Sequence, residues 1–215
     1  MPRIFISFMH KYFITGIGTD VGKTVVSAIV TEALEADYWK PVQAGELEHT
    51  DADRVKGWIS NKVSKIHPCS YALKTPMSPH AAASLEGIEI DTGKIRAPLT
   101  KNDLVIEGAG GLLVPINDVN TMLDLVHNDY RVIVVSRHYL GSINHTLLTL
   151  NELRHRGIGV AGIIFNGDEH SSTESIIEKQ ARVNVIGRID QEPLIDKAVI
   201  SKYAAKFKPL IERLS

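Results

Sequence analysis

The segment Gly16-Ile17-Gly18-Thr19-Asp20-Val21-Gly22-Lys23-Thr24 carries the strongest chemical signal in the chain. Glycines let a loop turn its N–H groups inward around phosphate oxygens. A helix starting at Lys23 would add the positive end of its dipole to the same anion. The Lys23 ammonium reaches terminal phosphates, and the Thr24 hydroxyl is placed to hold Mg²⁺. The common form of this loop has four residues between its first glycine and Gly-Lys. Here five separate Gly16 from Gly22-Lys23, and Ile17 stands where a glycine is expected. The loop is therefore a variant.

A nucleotide-bound Mg²⁺ takes one or two carboxylates besides phosphate oxygens and water. Glu107 ends an apolar run and enters Gly108-Ala109-Gly110-Gly111, which allows close backbone approach. Asp51 and Asp53 follow a second apolar run; either is available as a second ligand, and each also reads as a helix N-cap. Lys40 closes that run before Pro41, where an ammonium would neutralise charge on a transferred phosphoryl group. Ser142 reads as the N-cap of a helix carrying Asn144 and His145, and such a terminus also suits a substrate carboxylate. Asn166-Gly167 reads first as a turn, with Asn166 available to a base edge, and His80 reads as structural. The nine histidines have no metal-ligand spacing, so no zinc site is expected.

These residues need a frame. Strands are expected at Tyr12–Ile17, Tyr38–Val42, Leu104–Glu107, Arg131–Val135, Gly157–Phe165 and Val185–Ile189. Helices are expected at Lys23–Glu35, Asp53–Ser60, Ala81–Glu86, Ser142–Arg156, Thr173–Arg182 and Pro193–Leu214, with an irregular stretch around Pro68, Pro76 and Pro79. The short spacing from Leu34 to Tyr38 requires the first helix to end abruptly. Alternation of this kind argues an α/β fold: one doubly wound, mostly parallel sheet, P-loop NTPase-like, with ligands beyond the strands' carboxyl ends. The 215 residues suit one domain, read as 11–215 behind an extension at 1–10, with Met9 an alternative start. Lysine plus arginine number 24 against 25 acids, so no general attraction to nucleic acid or anionic membrane is expected. Cys69 is the single cysteine, which rules out an internal disulfide and fits a cytoplasmic setting.

Taken together the chain resembles the dethiobiotin synthetase family from Lys11 to about Glu192. The blocks stand in the family's order: Val21-Gly22-Lys23-Thr24, Lys40-Pro41-Val42-Gln43-Ala44-Gly45, Thr50-Asp51-Ala52, Ser78-Pro79-His80, Glu107-Gly108-Ala109-Gly110-Gly111-Leu112-Leu113-Val114-Pro115 and Leu140-Gly141-Ser142-Ile143-Asn144-His145. The resemblance implies ATP- and Mg²⁺-dependent carboxylation and ring closure of 7,8-diaminononanoate with CO₂, through a carbamate and a carbamic–phosphoric anhydride. It implies Mg²⁺ held by Thr24, Asp51 and Glu107, so that Asp51 is chosen over Asp53. Lys23 and Lys40 would act on the phosphoryl group, with Lys40 also near the carbamate. The nucleotide would be bound by Thr19 to Val25, Gly108, Ala109, Gly110, Asn166, Gly167, Ile189, Asp190 and Gln191. Lys40, Ala44, Ser142, Ile143, Asn144 and His145 would bind substrate, the last four across a homodimer interface. Two positions depart from the pattern: Ala44 stands where a serine is common, and Asp190 replaces a common proline. The rival is a partitioning or septum-placement ATPase switching as a dimer on DNA or membrane. Such proteins usually carry a further lysine early in the loop, where this chain has Ile17-Gly18-Thr19. Their membrane or DNA contact would fall to the weakly amphipathic C-terminus with Lys202, Lys206, Lys208 and Arg213. An amide-forming synthetase of cobalamin assembly would need a glutaminase domain with its own cysteine, and the chain has no length for one.

Overall fold

The computed structural model describes residues 9–214; the extension expected before Met9 lies outside them. Seven strands form one sheet in the order β4-β2-β6-β1-β7-β8-β9, all neighbours parallel. They are β1 (Lys11–Gly16), β2 (Asp37–Trp39), β4 (Ile66–His67), β6 (Leu104–Gly111), β7 (Tyr130–Arg137), β8 (Val160–Asn166) and β9 (Val185–Ile189). The runs Leu104–Ile106, Val132–Val135 and Ile163–Phe165 are buried, as strands covered on both faces must be. The helices are α1 (Lys23–Leu34), α2 (Asp51–Trp58), α3 (Pro79–Leu85), α4 (Ser142–His155), α5 (Ser171–Ala181) and α6 (Lys197–Arg213). α1 leads from β1 to one side of the sheet, whereas α4 and α5 lead from β7 and β8 to the other. Right-handed crossovers therefore put them on opposite faces, giving the doubly wound arrangement. α6 returns to pack on α1 and buries Ile200, Tyr203, Ala204, Phe207 and Ile211. The apolar stripe of the C-terminus is thus spent on the core.

The expected strand Tyr38–Val42 is two strands. β2 stops at Trp39, and β3 (Val42–Ala44) pairs instead with β5 (Tyr71–Leu73) in a separate two-stranded sheet. Pro41 has no N–H to give a ladder, and its carbonyl accepts from Ser70 and Tyr71 N–H at 2.8 and 3.2 Å. β4 and β5 fall in the stretch expected to be irregular, where runs of two and three residues leave no periodic signal. α2 starts two residues earlier than expected because Thr50 caps it: Asp53 N–H donates to Thr50 Oγ1 at 3.1 Å, and Thr50 N–H to Asp53 Oδ2 at 3.0 Å. Asp53 is thereby used by the cap. The cap of α4 is Gly141 at φ 102°, not Ser142, which is already helical. α3 begins at Pro79, a residue suited to a first helical position, and α6 at Lys197 behind the cap of Asp196. α1 does end abruptly, with Glu35 left-handed at φ 50°.

β2 is short, and a buried carboxylate secures its start. Asp37 accepts from Lys65 N–H (3.0 Å), Asn102 Nδ2 (2.9 Å) and Thr100 Oγ1 (2.7 Å), and it meets His67 Nε2 at 2.8 Å. Burial pushes its pKa up, but the hydrogen bonds from Asn102, Lys65, Thr100 and His67 outweigh this and hold it below the ordinary value. A depressed carboxylate stabilises the fold above its unfolded pKa, and that contribution fades as pH falls toward the folded value. Asp37→Ala is expected to cost about 2–4 kcal/mol in urea unfolding at pH 7, because several donors lose their acceptor. The deficit relative to wild type should shrink below about pH 4; an equal deficit at pH 7 and pH 3 would contradict the assignment.

Candidate active site

The loop after β1 is shaped by two left-handed residues, Asp20 at φ 56° and Gly22 at φ 96°. Gly22 is required twice over, since a Cβ there would lie 2.3 Å from Asn166 Nδ2. That amide donates to Val21 O at 2.9 Å, so the end of β8 braces the loop. Lys23 is buried, and its Nζ donates to Gly18 O at 2.8 Å across the loop. Burial lowers its pKa to about 8; Glu107 and Asp51 partly counter this, and Lys40 adds to it.

Beside Lys23 lies a compact charged cluster. Lys40, only 7% exposed, donates to Asp51 Oδ2 and, at 3.0 Å, to Glu107 Oε1. Burial alone would lower the Lys40 pKa, but attraction to Glu107 and Asp51 and its hydrogen bonds to both raise it above the ordinary value. Asp51 is held low: burial acts upward, and Lys40, Thr24 and Arg54 outweigh it. Glu107 Oε2 accepts from the Tyr38 hydroxyl at 2.9 Å. Burial and the nearby Glu107 and Asp51 charges push Tyr38 well above its ordinary pKa, so it remains a donor. The Thr24 hydroxyl is 2.9 Å from both Asp51 Oδ1 and Glu107 Oε1, and one proton serves one of them. One hydroxyl and two carboxylates form an all-oxygen set that fits Mg²⁺ once phosphates and water complete it. Among the described residues no cluster of three or more His, Cys, Asp and Glu side chains suits a transition metal.

Thr19, Asp20, Gly22, Lys23, Thr24, Val25, Lys40, Ala44, Asp51, Glu107, Ala109 and Gly110 line one open cavity of about 670 Å³. Val21 is turned into the core. Gly108 lies against Phe13, where a Cβ would meet the ring at 3.2 Å, so it offers backbone only. Asn166 and Gly167 sit behind the loop. Ile189 is buried, and its carbonyl accepts from Gly167 N–H at 2.8 Å. Asp190 N–H donates to Tyr203 Oη at 3.0 Å. Neither Ile189, Asp190 nor Gln191 lines the phosphate cavity. Ser142, Ile143 and Asn144 line a different cavity of about 740 Å³ with Tyr139, Leu140 and His170. His145 beside it accepts from or donates to Tyr139 Oη through Nδ1 at 2.8 Å. Within one chain, then, the start of α4 is not part of the phosphate cleft.

Sequence reasoning missed three residues at the cleft. Tyr38 sits in an apolar run and reads as core, although its hydroxyl holds Glu107. Gln43 lies inside the block Lys40 to Gly45, but its own residue type pointed to no role. Arg54, with Nη1 3.4 Å from Asp51 Oδ1 and Nη2 2.8 Å from Glu46, was detectable only as the i+3 neighbour of Asp51 on a helix starting at 51.

A family model described as an AAA domain matches residues 10–199. The ATP-dependent dethiobiotin synthetase BioD of Christiangramia forsetii is 58% identical over 92% of this chain and 96% of its own length. That of Cytophaga hutchinsonii is 54% identical over 92% and 97%. Among solved structures, the chain is similar to the cell division ATPase MinD of Pyrococcus furiosus, with a TM-score of 0.63 at 14% identity over 96% of this chain and 100% of that one. It is also similar to the septum site-determining protein MinD of Pyrococcus horikoshii complexed with Mg-ADP, at 0.60 and 16% over 97% and 96%. At such identities the structural likeness establishes a shared P-loop NTPase-like fold. The sequence relatives are far nearer and run the length of the domain, and the chain belongs to the dethiobiotin synthetase family.

Proposed function

We propose that this chain catalyses ATP-dependent conversion of 7,8-diaminononanoate and CO₂ to dethiobiotin, releasing ADP and phosphate. The observation that carries the reading is the buried Lys40 ammonium, shared between Asp51 and Glu107 in the cleft of the phosphate loop. One amine adds to CO₂ and loses a proton, giving a carbamate. A carbamate oxygen attacks the γ-phosphorus, and ADP leaves. The second amine then attacks the carbamoyl carbon; phosphate leaves, a proton is lost and the cyclic urea closes. Positioning and charge neutralisation do most of this work. The loop N–H groups of Thr19 to Lys23, with Gly22 at the close approach, hold the phosphates, and Lys23 reaches the terminal ones. Lys40, being protonated, serves as a fixed positive charge facing carbamate and phosphoryl oxygens rather than as a base. Thr24, Asp51 and Glu107 would hold Mg²⁺, which when bound neutralises phosphate charge. Tyr38 keeps Glu107 from rotating away from that duty.

For the base we assign Asn166, whose amide NH₂ is committed to Val21 while its Oδ1 faces away, together with backbone from Gly167 and from Ile189 to Gln191. The start of α4, Ser142 to His145, binds the substrate carboxylate in a second copy of the chain. Exposed Tyr139, Leu140, Ile143 and Leu148 around it suit a homodimer interface. Ala44 offers the substrate backbone alone. The catalytic unit is residues 11–215, working in the cytoplasm; among the described residues no helix is long and apolar enough to cross a membrane. The fold is shared with switch ATPases, and the decisive assay is phosphate release from ATP with Mg²⁺ and bicarbonate, with and without the diamine. Diamine-dependent release with a cyclic urea detected by mass spectrometry supports the synthetase. Diamine-independent release turns the reading toward a switch.

Lys40→Ala and Glu107→Ala should each lower kcat roughly 100- to 1,000-fold, about 2.7–4 kcal/mol of lost transition-state stabilisation. Lys40→Ala should also unfold at lower temperature, because two buried carboxylates lose their cation. A folded Lys40→Ala protein with near wild-type turnover would refute its role. Lys23 supplies a pH test. With its pKa at about 8, half of the nucleotide-free protein at that pH lacks this charge. Phosphate binding restores the ammonium, so ATP binding should take up close to one proton at about pH 9 and weaken as pH rises through 8. Calorimetry in buffers of different ionisation enthalpy measures this, and zero uptake in the wild type would contradict it.

A further inference from the structure

Beyond the phosphate end, the cavity wall mixes apolar Ala44, Pro76, Met77, Pro79 and Val114 with polar Glu46, Arg54 and Ser78. Gln43 is set into that wall. The residue is 4% exposed and lies on β3, opposite Ala72 of β5. Nε2 donates to Gly45 O at 3.0 Å. Because a backbone carbonyl only accepts, the amide orientation is forced, and Oε1 must be the atom turned the other way. Among the described residues Oε1 has no hydrogen-bond partner. The bond that fixes Nε2 is itself rigid. Gly45 is left-handed at φ 77°, a Cβ on it would lie 2.7 Å from Pro76, and its N–H donates to Leu73 O at 2.8 Å.

We infer that Gln43 is a specificity-determining residue whose Oε1 accepts an N–H from one amino group of the diamine. This rests on the synthetase reading above. Oε1 keeps some exposure, and Gln43 lines the cavity, so an acceptor held there in one orientation favours ligands that bring a donor. Among the substrates proposed for this cleft, the diamine brings aliphatic amine N–H donors, whereas the exocyclic amine of the base is assigned above to the region of Asn166. An amide suits the task better than a carboxylate would. It is neutral and stabilises the ammonium form less than a carboxylate would, so more of the amine keeps its lone pair free to attack. It also does not titrate, so its contribution is constant across the pH range in which amines do.

The test is Gln43→Met, nearly isosteric and without the acceptor. Diamine binding is measured by calorimetry in the presence of a non-hydrolysable ATP analogue, beside steady-state kinetics. The diamine Kd and KM should rise roughly three- to tenfold, the worth of one neutral hydrogen bond, with the ATP KM unchanged. Two mono-amines, 7-aminononanoate and 8-aminononanoate, then locate the contact: one should be weakened by the substitution and the other not. Equal weakening of both, or an unchanged diamine Kd, overturns the inference. If Gln43→Met does not fold, the wild-type protein still decides: the Gln43 Cδ carbon resonance should move on adding diamine and not on adding the ATP analogue alone. A resonance that ignores the diamine overturns the inference as well. Wild-type protein that binds no diamine at all would instead sink the synthetase reading.

Discussion

An ammonium that is buried needs compensation close by, and the arrangement around Lys40 shows how much of the structure is committed to providing it. Two carboxylates come from distant parts of the chain, Asp51 from the first turn of α2 and Glu107 from the middle of β6. Both are fixed from behind, Glu107 by the Tyr38 phenol and Asp51 by Thr24 and Arg54. Removing either acid would leave a charge stranded in a low-dielectric site, which is costlier than never having buried it. The cluster therefore demands that β1, β2, β6 and α2 keep their mutual register.

The main sheet meets that demand. β1 stands between β6 and β7, with Ile14 opposite Glu107 and Gly16 opposite Val135, so the phosphate loop leaves the sheet beside the acid strand. The register slips between Ile14 and Gly16, where the loop begins to turn. Lys40 is delivered by the residue immediately after β2. Its neighbour Pro41 ends the strand there, so the lysine sits at a carboxyl end and not within a ladder. Asp37, four buried contacts deep, holds the other end of the same three-residue strand.

Much of this was legible in the sequence because strong local chemistry coincided with strong periodicity. The loop from Gly16 to Thr24, the apolar run into Glu107 and the Val-rich β7 announced both the sheet and where its ligands would lie. What escaped notice was non-local or too short. β3 and β5 are stable only because they pair with each other, and three residues cannot advertise that. The cap of α2 is a reciprocal bond between Thr50 and Asp53, so the start at Asp51 depends on side-chain geometry rather than on composition. Tyr38 reads as an ordinary core aromatic until Glu107 is placed 2.9 Å from its hydroxyl. Asp51 and Asp53 look alike on paper; about half a helical turn between them sends one into the cleft and keeps the other at the surface.

The break at Lys40-Pro41 also divides labour in the cavity. One wall, carrying phosphate-loop, hydroxyl and acid groups, belongs to the seven-stranded sheet with the starts of α1 and α2. The facing wall, with Gln43, Ala44 and the left-handed Gly45, belongs to the two-stranded pair and the neighbouring α3. Among the described residues no ladder hydrogen bonds join the two sheets, so the second wall stands outside the strand register that aligns the phosphate loop with the acid strand. The molecule is in this sense modular at the scale of a single cleft: a phosphate-loop wall and a facing wall, parted at a proline.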